Sequence, residues 1–175
     1  MNTATLDRTP LPWSPTLGLA MPVMDETHEA CVALLADVVQ APDETLLSHW
    51  ALLIDHTQEH FDREDQWMLD TGFAPDNCHT SQHSVILQVM REGGKRGLMG
   101  ELDLVRQMAY ELGLWLVNHI QSMDAALALH LRSAGFDPET GLVSNPQAFA
   151  GQEIHSCGSG GGCDSSASET ALAAG

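Results

Sequence analysis

The chain has 175 residues, and its 24 acidic side chains against 7 lysines and arginines give a formal net charge of -17. This charge argues against nucleic-acid and anionic-membrane partners, whose phosphates the chain would repel. No run approaches the roughly 18 apolar residues of a membrane span. The N-terminal residues also lack the apolar stretch of a signal peptide, so we expect a cytoplasmic protein.

The apolar fraction of 43% is enough for the core of one domain. Residues 1–10 are expected to form an N-terminal tail, and residues 11–137 a helical bundle. Residues 138–175 end in a Gly/Ser-rich segment that is typical of a flexible extension. The four cysteines do not resemble the disulfide framework of a secreted protein.

Apolar residues at helical spacing predict a first helix that starts near Met24 and ends before Pro42. A second helix is predicted from about Asp43 to Asp70, and Gly72 terminates it. Its second half contains the charged stretch HTQEHFDRED, residues 56–65, which a solvated helix face would explain only in part.

A third helix is expected to open at Pro75-Asp76 and to be broken by three glycines, Gly93, Gly94 and Gly97. A fourth is predicted from about Leu98 to Ser133, with a stop near Gly135. Strand patterns are absent from the sequence. Four amphipathic helices with short connections indicate an all-α fold, an up-down-up-down four-helix bundle.

In such a bundle, seven residues with metal-binding side chains all fall at one end: His28, His60, Glu64, His79, His83, His119 and Asp124. Neighbours four apart share a helix face, as His60 and Glu64 do. His119 and Asp124 are five apart and would diverge by about 140° on an ideal helix. These two can converge only if their side chains reach or the helix is locally distorted.

Five imidazoles and two carboxylates buried together would be costly unless they bind metal. Seven ligands are too many for one tetrahedral zinc but divide well between two ions. Two bridging carboxylates and a bridging hydroxide would leave two divalent ions with a net charge of about +1 and one open position. Mixed imidazole and carboxylate donors at high coordination number fit iron better than zinc.

The sequence resembles the hemerythrin family, in particular its single-domain bacterial members. Four motifs carry the resemblance over residues 11–137: MDETH at 24–28, HFDRE at 60–64, HTSQH at 79–83 and WLVNHIQSMD at 115–124. The resemblance implies a non-haem di-iron centre that binds dioxygen reversibly. It also implies that the protein is not an enzyme.

The resemblance also implies a role for each residue. Three histidines would hold the coordinatively filled iron: His79, His83 and His119. His28 and His60 would hold the iron with the open position, where dioxygen binds. Glu64, Asp124 and a solvent oxygen would bridge the two ions. Leu116 matches the apolar residue over the family's ligand pocket, and Trp115 is expected beside it or in the ordinary core.

Other residues near these motifs have weaker indications. His56, one turn before His60, is either a partly exposed helix residue or a group that supports the site. Asp25 is expected to be the N-cap of the first helix, with a hydrogen bond to His28 as the alternative. Three residues of the opening stretch should form its solvated face: Asp62, Arg63 and Asp65.

The C-terminal segment HSCGSGGGC, residues 155–163, lies outside the resemblance. His155, Cys157 and Cys163 could bind a metal or form a redox disulfide, but they lack a fourth zinc ligand. Incidental cysteines in a flexible tail are the alternative.

Two other functions compete with reversible dioxygen binding. The same centre could serve a di-iron oxidase or peroxidase, or detoxify nitric oxide or peroxide. The chain contains no Glu-x-x-His motif of the carboxylate-rich oxidases, which favours binding over oxygen activation. A sensor that signals to a separate, unidentified protein partner is the other alternative.

Overall fold

A computed structural model describes residues 12–73 and 77–145. A short 3₁₀ helix, Pro15–Leu17, precedes the four helices of a bundle. These are α1 (Pro22–Gln40), α2 (Asp43–Asp70), α3 (Cys78–Leu98) and a fourth in three consecutive parts. The parts are α4 (Leu102–His119), a π-helical segment (Ile120–Asp124) and α5 (Ala125–Ala134).

Each helix packs on two neighbours, α1 on α2 and α4, and α3 on α2 and α4. This is the predicted all-α, four-helix bundle. The described ranges contain no strand, only an isolated bridge between Phe136 and Val143. Within the same ranges, no helix has the length and apolar character that crossing a membrane requires.

The expected bounds of α2 are confirmed. The two glycines predicted to stop helices both have a left-handed backbone conformation, Gly72 with φ 69° and Gly135 with φ 59°. The expected break of α3 at its glycines is wrong, because the helix continues to Leu98. A Cβ on Gly97 would lie 2.9 Å from Cγ2 of the β-branched Val105 on α4, so close packing against α4 favours glycine there. The predicted opening of α3 at residues 75–76 lies outside the described residues. The helix is capped by Asn77, whose side chain accepts hydrogen bonds from the backbone of the first turn.

The bundle has two apolar clusters, one on each side of a polar layer. Along α1, Met24 belongs to one cluster and Cys31 to the other, with His28 between them. Along α2, Leu53 and Trp67 lie on either side of the polar positions in the same way. A polar layer enclosed in this manner has no access to bulk water along the bundle axis. Its groups must therefore find partners within the protein.

Candidate metal centre

The polar layer contains all seven of the predicted residues, and each is at most 3% exposed. Their nitrogen and oxygen atoms form two groups in which all atoms lie within 4.8 Å of one another. The first group is Glu64, His79, His83, His119 and Asp124. The second is His28, His60, Glu64 and Asp124. Both carboxylates belong to both groups, which is the arrangement that two adjacent cations sharing two ligands would need.

The π-helical segment explains how His119 and Asp124 meet although they are five residues apart. A π turn bonds residue i to residue i+5, so residues with this spacing lie above one another instead of diverging. His119 Nε2 is accordingly 3.1 Å from Asp124 Oδ1. The local distortion that the sequence required for this pair is present, at the segment that ends in Asp124.

Three imidazoles of the first group point their Nε2 atoms toward one place. His119 Nε2 is 3.1 Å from His79 Nε2 and 3.2 Å from His83 Nε2. About 3 Å is the separation of neighbouring ligands at right angles around an ion whose bonds are about 2.1 Å long. Convergence of nitrogen atoms at this spacing suits a common cation better than a network of imidazole hydrogen bonds.

The second group has buried atoms that lack hydrogen bonds. Neither nitrogen of His28 or His60, and neither oxygen of Glu64 or Asp124, has a hydrogen-bond partner among the described residues. The atoms are nevertheless close, with His28 Nε2 at 3.1 Å from Asp124 Oδ2 and His60 Nε2 at 3.2 Å from Glu64 Oε1. Buried polar atoms that approach one another without bonding geometry are what a cation between them would satisfy.

The two carboxylates are held in their ionised form. Burial and the charge of Asp124 raise the pKa of Glu64, but His60 and His79 outweigh them, and the pKa lies well below its usual range. Asp124 shows the same result, because His119, His28 and His79 outweigh burial and lower its pKa well below the ordinary value. Anionic carboxylates are the form that binds cations.

Asp65 supports the first group, although its sequence position indicated a solvated face. Its Oδ1 accepts a hydrogen bond from Nδ1 of His83 at 2.8 Å, and its side chain remains 41% exposed. Burial lowers the pKa of His83, but Asp65 and Glu64 outweigh it and raise the pKa above its ordinary value. A carboxylate on the far nitrogen fixes the tautomer that leaves Nε2 free to bind metal. Asp65 therefore keeps part of the predicted solvent exposure, but its carboxylate also turns toward α3 and reaches His83 across the interface.

Aromatic rings hold two of the imidazoles in place. Phe61 lies parallel to His83, with ring centroids 3.9 Å apart and an angle of 6° between the planes. Trp115 stacks on His119 with centroids 4.4 Å apart. Phe61 is therefore both part of the core and a support for the His83 ring.

A small apolar cavity of about 20 Å³ borders the second group. Its wall contains His60 together with Leu116 and Trp115, the two residues expected around a ligand pocket. Thr57 and Cys31 are polar groups in the same wall. Burial raises the pKa of the Cys31 thiol to about 12, so the wall there is uncharged.

The two residues with a predicted supporting role, Asp25 and His56, form their hydrogen bonds with backbone groups near the start of α1. Asp25 is not the N-cap of α1, because the helix begins three residues earlier at Pro22 and Met21 is the N-cap. Its carboxylate accepts backbone hydrogen bonds from Leu19 at 2.7 Å and Met21 at 3.3 Å, not one from His28. His56 contacts α1 instead of the seven residues: its Nε2 lies 3.1 Å from the Thr27 carbonyl oxygen.

The predicted tail site, His155 with Cys157 and Cys163, lies outside the described residues.

These observations define a class of protein: a four-helix bundle with a buried cluster of histidines and carboxylates that could bind metal. The chain matches the family model of the hemerythrin HHE cation binding domain over residues 20–129, a range that includes the seven clustered residues. The chain belongs to the hemerythrin family. Membership supports a function of the di-iron, oxygen-binding type and implies a non-haem di-iron cofactor.

Curated relatives agree with this assignment. The chain is 33% identical over 125 residues to a bacteriohemerythrin from Ralstonia nicotianae, an alignment that covers 71% of this chain and 91% of the relative. It is 27% identical over 124 residues to a bacteriohemerythrin from Stenotrophomonas maltophilia, covering 67% and 79%. A third bacteriohemerythrin, from Pseudomonas paraeruginosa, is 29% identical over 119 residues, covering 66% and 77%. The comparison with solved structures gave no significant match.

Proposed function

We propose that the chain binds two iron ions in the polar layer and binds dioxygen reversibly at one of them. Three histidines hold the first ion: His79, His83 and His119. His28 and His60 would hold the second, with a solvent oxygen as a further ligand shared by the two ions. Glu64 and Asp124 also bridge, because each belongs to both groups of converging atoms.

The donor set supports iron. Five imidazole nitrogen donors and two carboxylates, shared between two ions, give the mixed coordination that suits iron and exceeds the four ligands of a structural zinc. The unequal division also supports the proposal. Three histidines complete the coordination of one ion, and two leave a position free on the other. When bound, the iron pair supplies the electrons and the open position for reversible dioxygen binding.

The protein's own contribution is to keep the ligand position dry. The cavity beside His60 holds about one molecule of the size of water. Leu116, at 3% exposed, and Trp115 close it with apolar surface, while the neutral Cys31 thiol is a weak hydrogen-bond donor. Water and anions that enter would lose hydration without gaining equivalent partners, whereas an uncharged diatomic gas loses little. This selectivity slows displacement and oxidation of the centre and favours binding over turnover.

The sharing of Glu64 and Asp124 by both groups is the observation that carries the proposal. Anaerobic loading with ferrous iron should give two ions per chain, and dioxygen uptake should be one molecule per iron pair and reversible. A single ion per chain, or irreversible uptake with release of oxidised products, would contradict it. The second result would favour the oxidase or peroxidase alternative.

We extend the proposal to the whole chain as follows. Residues 11–137 form the dioxygen-binding bundle, flanked by a tail over 1–10 and an extension over 138–175, and the protein acts in the cytoplasm. Carriage, storage, delivery and sensing all use the same equilibrium. A pull-down that compares the oxygenated and deoxygenated forms distinguishes a sensor, which binds its protein partner in one form alone.

A further inference from the structure

His56 links α2 to α1 through a hydrogen bond to the backbone. Its Nε2 lies 3.1 Å from the carbonyl oxygen of Thr27. A carbonyl oxygen can only accept, so Nε2 carries the proton and donates it. Burial lowers the pKa of His56 below its ordinary value, although the bond to Thr27 opposes this. A half-buried imidazole with a directed bond to a neighbouring helix differs from a histidine that simply faces solvent.

Arg63 reaches the same residue from the other side. Its guanidinium donates a hydrogen bond to Thr27 Oγ1 at 3.1 Å, and Thr27 Oγ1 in turn donates to the carbonyl oxygen of Val23 at 2.7 Å. We call Thr27, His56 and Arg63 the Thr27 clamp. Two side chains of α2 thus bind the backbone and the hydroxyl of one residue on α1.

The Thr27 clamp lies at the level of the second group of metal-binding residues. Thr27 immediately precedes His28, and the clamp's two α2 residues lie one turn before and three residues after His60. The rings of His28 and His60 are 4.9 Å apart. Of the seven clustered residues, His28 alone comes from α1, so its distance from His60 depends on how α1 sits against α2.

We propose that His56 is a positioning residue that sets the affinity of the site for the ion held by His28 and His60. The inference rests on the proposed function, since it assumes two ions in the polar layer. The other ion's three histidines lie on α3 and α4, whereas the hydrogen bonds of the Thr27 clamp join α2 to α1. Loss of the clamp should therefore lower the affinity for the ion held by His28 and His60 and leave the affinity for the other ion unchanged.

The test compares His56→Leu, which removes the donor at similar volume, with His56→Gln, whose amide can donate from nearly the same place. Iron-loaded full chains are titrated with a competing chelator, and the ⁵⁷Fe Mössbauer spectrum reports the two ions separately. We expect the affinity of H56L for one ion only to fall about 10- to 100-fold. This is the loss in metal affinity that is typical when a residue supporting a metal ligand is replaced. H56Q should stay close to the parent protein. His49→Leu, a partly buried histidine on the same helix, is the matched control and should change neither ion.

Two results in H56L would overturn the inference. An equal loss of affinity for both ions would indicate a general loss of stability. An unchanged affinity for both ions would show that His56 does not affect the site. If H56L does not fold, His56→Met takes its place in the comparison with H56Q, since methionine also has a similar volume and no hydrogen-bond donor. The parent protein separates the two claims. A parent that holds fewer than two ions contradicts the proposed function, whereas a two-ion parent with unaffected variants contradicts the inference alone.

Discussion

Replacing Glu64 by glutamine tests whether one carboxylate serves two ions. The side chain is fully buried, with Oε1 at 3.2 Å from His60 Nε2 and Oε2 at 3.4 Å from His83 Nε2, so it lies between residues of the two groups. Glutamine keeps the shape of the side chain but removes the negative charge. Removing one partner of a buried charge pair costs about 3–5 kcal/mol. At about 1.4 kcal/mol per factor of ten, metal affinity should fall by roughly two to four orders of magnitude.

The measurement is the iron content after gel filtration, followed by chelator competition. We expect E64Q to retain at most one ion per chain, with its helical circular dichroism preserved. Glu59→Gln is the matched control, because Glu59 is an exposed glutamate on the same helix. Two ions bound to E64Q with the parent's affinity would refute the assignment of Glu64 as a bridge. Equal losses in E64Q and E59Q would refute it as well, since the effect would then come from total charge.

Three further predictions follow from the surroundings of the site. Asp65→Leu removes the acceptor of the hydrogen bond from His83 Nδ1 and should lower the affinity for one ion about 10- to 100-fold in chelator competition. Asp65→Asn keeps an acceptor oxygen and should lower this affinity less. Cys31→Ser places a stronger hydrogen-bond donor in the cavity wall, so the dioxygen-bound form should decay faster in a timed optical assay. Burial lowers the pKa of His130 in the folded chain. Below about pH 6.5 the unfolded chain therefore binds a proton at His130 more readily than the folded chain does, so the free energy of unfolding decreases as the pH is lowered. His130→Gln should lessen the drop in denaturant midpoint between about pH 7.5 and about pH 5.5.

Much of the bundle could be predicted because apolar periodicity and stop signals are local. The pattern from Asp43 to Asp70 contains its own period and its own stop, and the helix follows it. The glycines of α3 were misread because their role is set by a distant side chain. Helix propensity predicts a break at Gly97, while contact with the β-branched Val105 on α4 favours a residue without a Cβ. No local pattern reports such a contact.

For the candidate site, the sequence predicted the clustering of the seven residues but not all of their surroundings. Spacing and helix direction placed the seven residues at one end, and the five-residue gap between His119 and Asp124 indicated the distortion that the π segment provides. The hydrogen bonds that Asp65 and His56 make to neighbouring helices could not be predicted. They depend on how α2 is rotated against α3 and α1, which a single helix pattern does not define.

The central claim is reversible dioxygen binding at an iron pair, and the optical spectrum of the iron-loaded protein tests it most directly. The protein is loaded with ferrous iron without air, exposed to dioxygen, and then returned to an anaerobic atmosphere. The account predicts a visible charge-transfer band that appears with dioxygen and bleaches when dioxygen is removed, over repeated cycles. A protein that stays colourless, or a band that persists after dioxygen is withdrawn, would contradict it.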